Sequence, residues 1–256
     1  MSFTVTADAY DRFMGRYSEP LAPVFVDFAN ISSARRLLDV GCGTGTLTAE
    51  LLRRTTSAEV VAVDPSDSFV AAMRDRHPGV AVEQVDAAHL PFDDDEFDAS
   101  LAQLVVHFMP DPVVGVGAMR RVTRAGGVVA ACVWDHAEGG GPLTLFWDAV
   151  RETDASSRGE ATLPGTRRGD LDDIFDSAGL VDTLTEPISI TVRHPSFDEW
   201  WKPYTLGVGP AGAHVAALAN REVDRLRECC RERLPDGPFD VSARAWAARG
   251  AVPEIE

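Results

Sequence analysis

Leu21, Val24, Phe25 and Phe28 recur at i, i+3, i+4 and i+7, a spacing that predicts a helix with one apolar stripe. From there short apolar runs alternate with helical patterns. Strand one is read at 36–40, followed by glycines at 41, 43 and 45 and a helix to about Arg54. "EVVAVD" is strand two, ending at Asp64, after which Ser66 caps a helix carrying Phe69, Val70 and Met73. "VAVEQVD" is strand three, ending at Asp86, and "FDASLAQLVVHF" supplies strand four. A helix with Val116, Met119 and Val122 follows, closed by "RAGG" as a glycine stop. "VVAACVW" is strand five, and "DLDDIFDSAGL" is a helix burying Leu171, Ile174, Phe175 and Ala178 and stopped by Gly179. "ISITV" and "FDVSARAW" complete the set. This alternation predicts an α/β fold, a parallel sheet with helices on both faces.

Two stretches stand outside the alternation, 136–169 and 194–238. Connections of that length usually carry structure or function. The second contains "DEWWKPYTLGVGPAGAH" and a helix with Val223, Leu226, Cys230 and Leu234; lying between the last two strands and rich in aromatics, it is read as a helical lid.

Composition narrows the class. A chain of 256 residues, 45% hydrophobic and 25% charged, fits one elaborated α/β domain. It has no apolar run long enough to span a bilayer and no signal-peptide pattern at "MSFTVTADAY", so a cytoplasmic location and no membrane partner are expected. A formal net charge of −16 repels a phosphate backbone, which argues against nucleic acid. Cys42, Cys132, Cys229 and Cys230 form no disulfide framework. Oligomeric state is not legible here.

The candidate chemistry starts at "LLDVGCGTGTL", residues 37–47. Glycine lets a ligand approach the backbone, and the helix that follows offers unpaired N–H groups. Asp64, ending strand two, is placed to accept ribose hydroxyls, which by itself also fits a nicotinamide dinucleotide. Two features oppose that alternative, an NAD-dependent oxidoreductase: the glycines are spaced G-x-G-x-G rather than G-x-G-x-x-G, and a second acid, Asp86, ends strand three, where an adenine amino group is a suitable donor. A non-catalytic cofactor-binding module is a further alternative.

Taken together, "LLDVGCGTGTL", "VVAVDPS", "VDAAHLPFDDDEFD", "LAQLVVHFMPDP" and "RAGG" before a strand resemble the successive motifs of class I S-adenosylmethionine-dependent methyltransferases, and more narrowly the small-molecule branch called methyltransferase type 11. The resemblance covers roughly residues 35–135. It implies a Rossmann-like, seven-stranded, mostly parallel sheet, with 1–34 as a segment covering the cofactor, 35–135 as the cofactor half, and 136–256 as the substrate half with its lid at about 194–238. It implies that Asp39, Gly41, Cys42, Gly43 and Thr44 surround the methionine part of S-adenosylmethionine, that Asp64 binds ribose, that Pro65 flanks adenine, and that Asp86 with the backbone of Ala87 reads the adenine edge. Gln103 matches a glutamine near the cofactor in some relatives. "YDRFMGRYSEPLAPVF" resembles a covering segment, in which Tyr10 and Arg16 contact the cofactor carboxylate.

A sulfonium methyl is already activated, so orientation and exclusion of water do most of the work, and no universal catalytic residue is expected. His107, after strand four, is the first candidate for a base and His136 the second; the other reading of His107 is a pocket wall. Trp134, Trp200, Trp201 and Tyr204 either line an aromatic acceptor pocket or hold the lid on the sheet. "FDDDEFD" is read as an exposed acidic turn, with no metal expected. No asparagine-proline-proline-aromatic motif follows strand four, which disfavours DNA and glutamine side chains as acceptors. The expected activity is methyl transfer from S-adenosylmethionine to a small-molecule acceptor.

Overall fold

A computed structural model of the chain describes residues 7–55, 58–155 and 157–254. Residues 1–6 of the covering segment lie outside that range. The chain enters as a helical turn α1 (Ala7–Tyr10), widens into a π-helical turn at Asp11–Gly15, and continues as α2 (Arg16–Ala29). Single π turns often mark functional sites. The order is then β1 (Arg36–Val40), α3 (Thr46–Arg54), β2 (Glu59–Asp64), α4 (Asp67–Arg76), β3 (Ala81–Gln84), β4 (Phe97–Gln103), α5 (Pro112–Val122) and β5 (Thr123–Trp134). The second half comprises α6 (Thr144–Thr153), α7 (Asp170–Ser177), β6 (Val181–His194), α8 (Phe197–Trp201), α9 (Gly209–Ala217), α10 (Asn220–Arg231) and β7 (Phe239–Ala251).

The seven strands form one sheet in the order β3-β2-β1-β4-β5-β7-β6. The first five are parallel, and β7 runs antiparallel between β5 and β6. The strand order reverses between β1 and β4, and in open α/β sheets ligands bind at the carboxyl ends beside such a reversal.

Burial on both faces explains why β1 reads as a nearly unbroken apolar run. Leu38 and Val40 pack with α5 and α7 on one face, whereas Leu37 packs with Tyr17, Leu21 and Phe25 of α2 and with Leu47 and Leu51 of α3 on the other. Each such side chain contributes about 1.5–3 kcal/mol by leaving water. A third cluster joins Phe146 and Trp147 of α6 to Trp200, Trp201, Tyr204, Val215 and Leu226. No described helix is long and apolar enough to cross a membrane.

Several elements depart from the sequence expectation, among them β3, which ends at Gln84 and not at Asp86. Strand β4 stops at Gln103; Leu104 then takes φ +61°, and Val106–Phe108 form a 3-10 turn. "RAGG" is not a helix stop but lies within β5 as a bulge: Phe97 pairs with Thr123 and Ala99 with Val128, so the segment from 123 to 128 faces only 97 to 99. The last two strands are much longer than "ISITV" and "FDVSARAW", because they pair with each other from Val181↔Ala251 to His194↔Phe239. The helix carrying Val223, Leu226 and Cys230 ends at Arg231, before Leu234.

Candidate functional site

The turn after β1 is shaped by its glycines. Gly41, at φ +72°, and Cys42 both donate their N–H to the carbonyl of Val63, at 2.8 and 3.0 Å, which folds the chain back over the end of β2. A Cβ on Gly41 would overlap the side chain of Val105. Gly43 sits at φ +53° with open space beside its Cα.

Asp64 closes this turn. Its Oδ2 accepts from Gly43 N–H at 3.0 Å and its Oδ1 from Ser66 N–H at 2.8 Å. Desolvation raises its pKa, and these two donors partly offset the shift. Asp39 is buried deeper, where its Oδ2 accepts from Thr48 at 2.6 Å; burial pushes its carboxyl up to about 7. Thr44 donates to Asp11 at 2.6 Å, and Arg76 bonds the other oxygen of Asp11 at 2.6 Å, pinning the π turn onto the glycine turn. Asp86 N-caps a 3-10 turn at Ala87–His89, its Oδ1 accepting from Ala88 N–H at 2.8 Å.

These elements enclose a cavity of about 330 Å³. Gly41, Gly43, Asp64 and Pro65 line one side, Asp86 and Ala87 another, and Gln103 and Leu104 the base; Tyr10, its ring 5.1 Å from that of Phe69, lines it from α1. Gln103 donates its Nε2 to the carbonyl of Ser18 at 3.1 Å, while its buried Oε1 has no protein partner. Asp39, Cys42 and Thr44 support the turn from behind instead of lining the cavity. Burial pushes the Cys42 thiol far up, so it is held neutral.

Arg16 is elsewhere. Its guanidinium donates to the carbonyl of Glu199 at 3.1 Å and lies 3.2 Å from Nδ1 of His194, in a separate cleft with Lys202 and Pro203.

A second, inner chamber of about 30 Å³ adjoins the first through the shared walls Tyr10, Leu104 and Phe108. His107, Trp134, His136 and Glu160 also line it. Nδ1 of His107 and Nε1 of Trp134 are buried without a hydrogen-bond partner. Burial drives His107 down to about 3, aided by His136, and His136 down to about 4; both imidazoles are neutral at ordinary pH. Burial also pushes Glu160 up to about 7. Its Oε2 accepts from Trp147 Nε1 at 2.9 Å and its Oε1 lies 4.0 Å from His136 Nε2.

Trp200, Trp201 and Tyr204 line neither cavity. Tyr204 stacks on Phe146 at 4.5 Å and meets Phe13 edge-on at 5.1 Å, so it stands one layer behind the chamber wall. Sequence reasoning overlooked Glu160. A single acid in "SRGEATLPG" has no periodicity, and only the neighbouring Gly159 hints at a constrained turn.

Comparison with known proteins bears on this geometry. The family described as "Methyltransferase domain" matches residues 38–131. A malonyl-[acyl-carrier protein] O-methyltransferase of Halorhodospira halophila is 31% identical over 272 residues, covering 97% of this chain and 87% of its own length. A methyltransferase of Mycobacterium tuberculosis is 36% identical over 135 residues, 53% of this chain; the match spans about half, 52%, of that relative. Among solved structures, Haemonchus contortus phosphoethanolamine N-methyltransferase 2, in complex with phosphomonomethylethanolamine and S-adenosylhomocysteine, aligns over 97% of this chain and 57% of its own with a TM-score of 0.61 at 15% identity, a likeness of fold.

Proposed function

Because the chain belongs to the class I S-adenosylmethionine-dependent methyltransferases, we propose that it moves a methyl group from that donor to a small, partly apolar acceptor by in-line displacement. One observation carries the reading: the carboxylates of Asp64, at the end of β2, and Asp86, two residues beyond β3, open on a single cavity that the Gly41–Gly43 turn also lines.

The residues present fit the donor. Asp64, already oriented by two backbone N–H groups, takes the ribose hydroxyls. Asp86 and the backbone of Ala87 meet the adenine edge, with Pro65 and Phe69 as apolar flanks. Gly41 and Gly43 border the methionine portion, while Asp39, Cys42 and Thr44 hold that turn in place. The unpaired Oε1 of Gln103 is an acceptor on the same wall. Tyr10 covers the site. Arg16, committed to the Glu199 carbonyl, is assigned to anchoring the lid.

When bound, the donor supplies an activated sulfonium methyl. The chain's part is to orient the acceptor and exclude water, effects worth about 7–11 kcal/mol in well-aligned systems. His107 and Trp134, buried at the inner end, are proposed to contact the acceptor. Relatives named for malonyl-[acyl-carrier protein] and for phosphoethanolamine differ in the atom they methylate, so the acceptor has to be read from this chain's own walls.

Titration calorimetry with S-adenosylmethionine, S-adenosylhomocysteine and NAD tests the donor: selective NAD binding overturns the proposal. Incubation with methyl-labelled donor and a metabolite extract tests transfer, and tight donor binding with no labelled product in any extract identifies a binding module instead.

A further inference from the structure

Methyl transfer to an O–H nucleophile releases a proton, and the inner chamber, at about 30 Å³, has room for little more than a single water to collect it. The geometry there is specific. His107, Trp134 and Glu160 are almost fully buried, as is the side chain of His136, and no arginine or lysine lines the chamber. His136 also lines an outer cavity of about 200 Å³ with Thr144, Trp147, Arg151 and Arg158, whose rim includes the exposed Gly139 and Arg158. One imidazole therefore belongs to the walls of both spaces.

The carboxyl beside it is held in place. Gly159, at φ +54°, has no room for a Cβ because it would overlap the Trp147 ring. This close approach lets Trp147 Nε1 bond Glu160 Oε2 and leaves Oε1 facing His136 Nε2 at 4.0 Å. Neither Glu160 nor His136 falls within the matched family segment, 38–131.

We propose that the inner chamber takes the reactive group of an acceptor bearing an un-ionised hydroxyl, and that His136, paired with Glu160, carries the released proton from the chamber to the outer cavity. The proposal rests on the methyl-donor reading above. The acceptor oxygen forms a bond to the methyl carbon as the carbon–sulfur bond breaks with its electron pair left on sulfur. The oxygen's proton passes to His136 and from there to water in the outer cavity. A carboxylate acceptor is disfavoured, since it would enter a chamber that already holds Glu160 and has no cation to receive it. Burial keeps His136 neutral and thus able to accept a proton, and ionisation of Glu160 near pH 7 favours the imidazolium that results. The other groups around His136 are Asp135, which is ion-paired with Arg244, His107 across the chamber, and Arg151 and Arg158 in the outer cavity.

The test uses the full chain labelled with ¹⁵N-histidine, with and without S-adenosylhomocysteine. The His136 ring is titrated in the wild type and in Glu160→Gln, which preserves an acceptor for Trp147. Because Glu160 ionises near pH 7, above His136, we expect the wild-type His136 ring signals to show a step near pH 7 that Glu160→Gln removes; absence of that step in the wild type overturns the pairing. Trp147→Phe, which leaves the carboxyl but removes its hydrogen bond and so its help in ionising, moves that step to higher pH and serves if Glu160→Gln fails to fold. Phenol and benzoate are then titrated as probes. Phenol is expected to shift the His136 ring signals and to bind about ten-fold more tightly than benzoate; equal or tighter benzoate binding overturns the acceptor class. Calorimetry with S-adenosylhomocysteine is run alongside. Absence of binding there sinks the donor reading alone, because the histidine titration is also read in the free chain.

Discussion

Gly43 and Asp64 are hydrogen-bonded along one side of the large cavity, N–H to Oδ2 at 3.0 Å. With Ser66 N–H on the other oxygen, the carboxylate is fixed in direction before a ligand arrives. Such preorganisation reduces the ordering that binding would otherwise have to supply. It also joins two strands' ends, so the glycine turn and Asp64 behave as one unit.

Asp64→Asn is expected to weaken S-adenosylhomocysteine binding by about ten- to a hundred-fold, the worth of a charged hydrogen-bond acceptor. Calorimetry measures this, with thermal unfolding as the check that the variant is folded; undiminished affinity removes Asp64 from the site.

Gly41→Ala tests the turn itself. The substitution sets a Cβ into Val105 and imposes φ +72° on a residue that resists it. Overpacking and backbone strain together should lower Tm by roughly 3–10 °C. Unchanged Tm would show that the turn relaxes freely.

Asp39 predicts a pH dependence. Its carboxyl titrates near 3.8 when unfolded and at about 7 when buried, so between those values the folded chain retains a proton that the unfolded chain has lost. Stability from this group therefore declines as pH rises from about 4 to 7, with no cost below that window and the full cost above it. Asp39→Asn keeps an acceptor for Thr48 and removes the ionisation. Its stability relative to wild type should grow across the window by on the order of a few kcal/mol and then level off. Denaturant titrations at pH 5, 6, 7 and 8 in about equal steps follow it; a pH-independent difference contradicts burial of the charge.

Tyr17 and His194 offer a fourth test. The Tyr17 hydroxyl lies 3.0 Å from His194 Nε2, with Trp200 of α8 beside it, tying α2 to the end of β6. Tyr17→Phe leaves Nε2 of a buried imidazole unpaired and should cost about 1–3 kcal/mol. Hydrogen exchange at 192–201 is expected to quicken ahead of exchange in β1; uniform acceleration would place the bond in the global core instead.

The first half of the fold is legible because its signals are local. Glycines, strand-end acids and capping residues announce the turns from Val40 to Gly45 and from Asp64 to Ser66 within a few positions of where they act. What escapes is set by pairing across the sheet. "RAGG" has the composition of a helix stop, and only the register of β4 against β5 makes it a bulge. The Trp and Tyr residues of 200–204 carry a strong aromatic signal whose direction depends on tertiary packing; Trp200 reaches Tyr17, and Tyr204 reaches Phe146. Glu160 is brought beside His136 by contact with Trp147, a relation no spacing rule encodes.

The pairing of His194 with Phe239 has a further meaning. Their rings stack at 5.3 Å, so the segment from 195 to 238 leaves the sheet and returns to it through one cross-strand pair. A hairpin closed in this way is indifferent to the length of its loop, since each doubling costs only about 0.6 kcal/mol. The sheet thus sets only the two ends of this segment; its seat is set by an apolar face against Phe13 and Phe146 and by the Arg16–Glu199 bond, neither of which fixes its length.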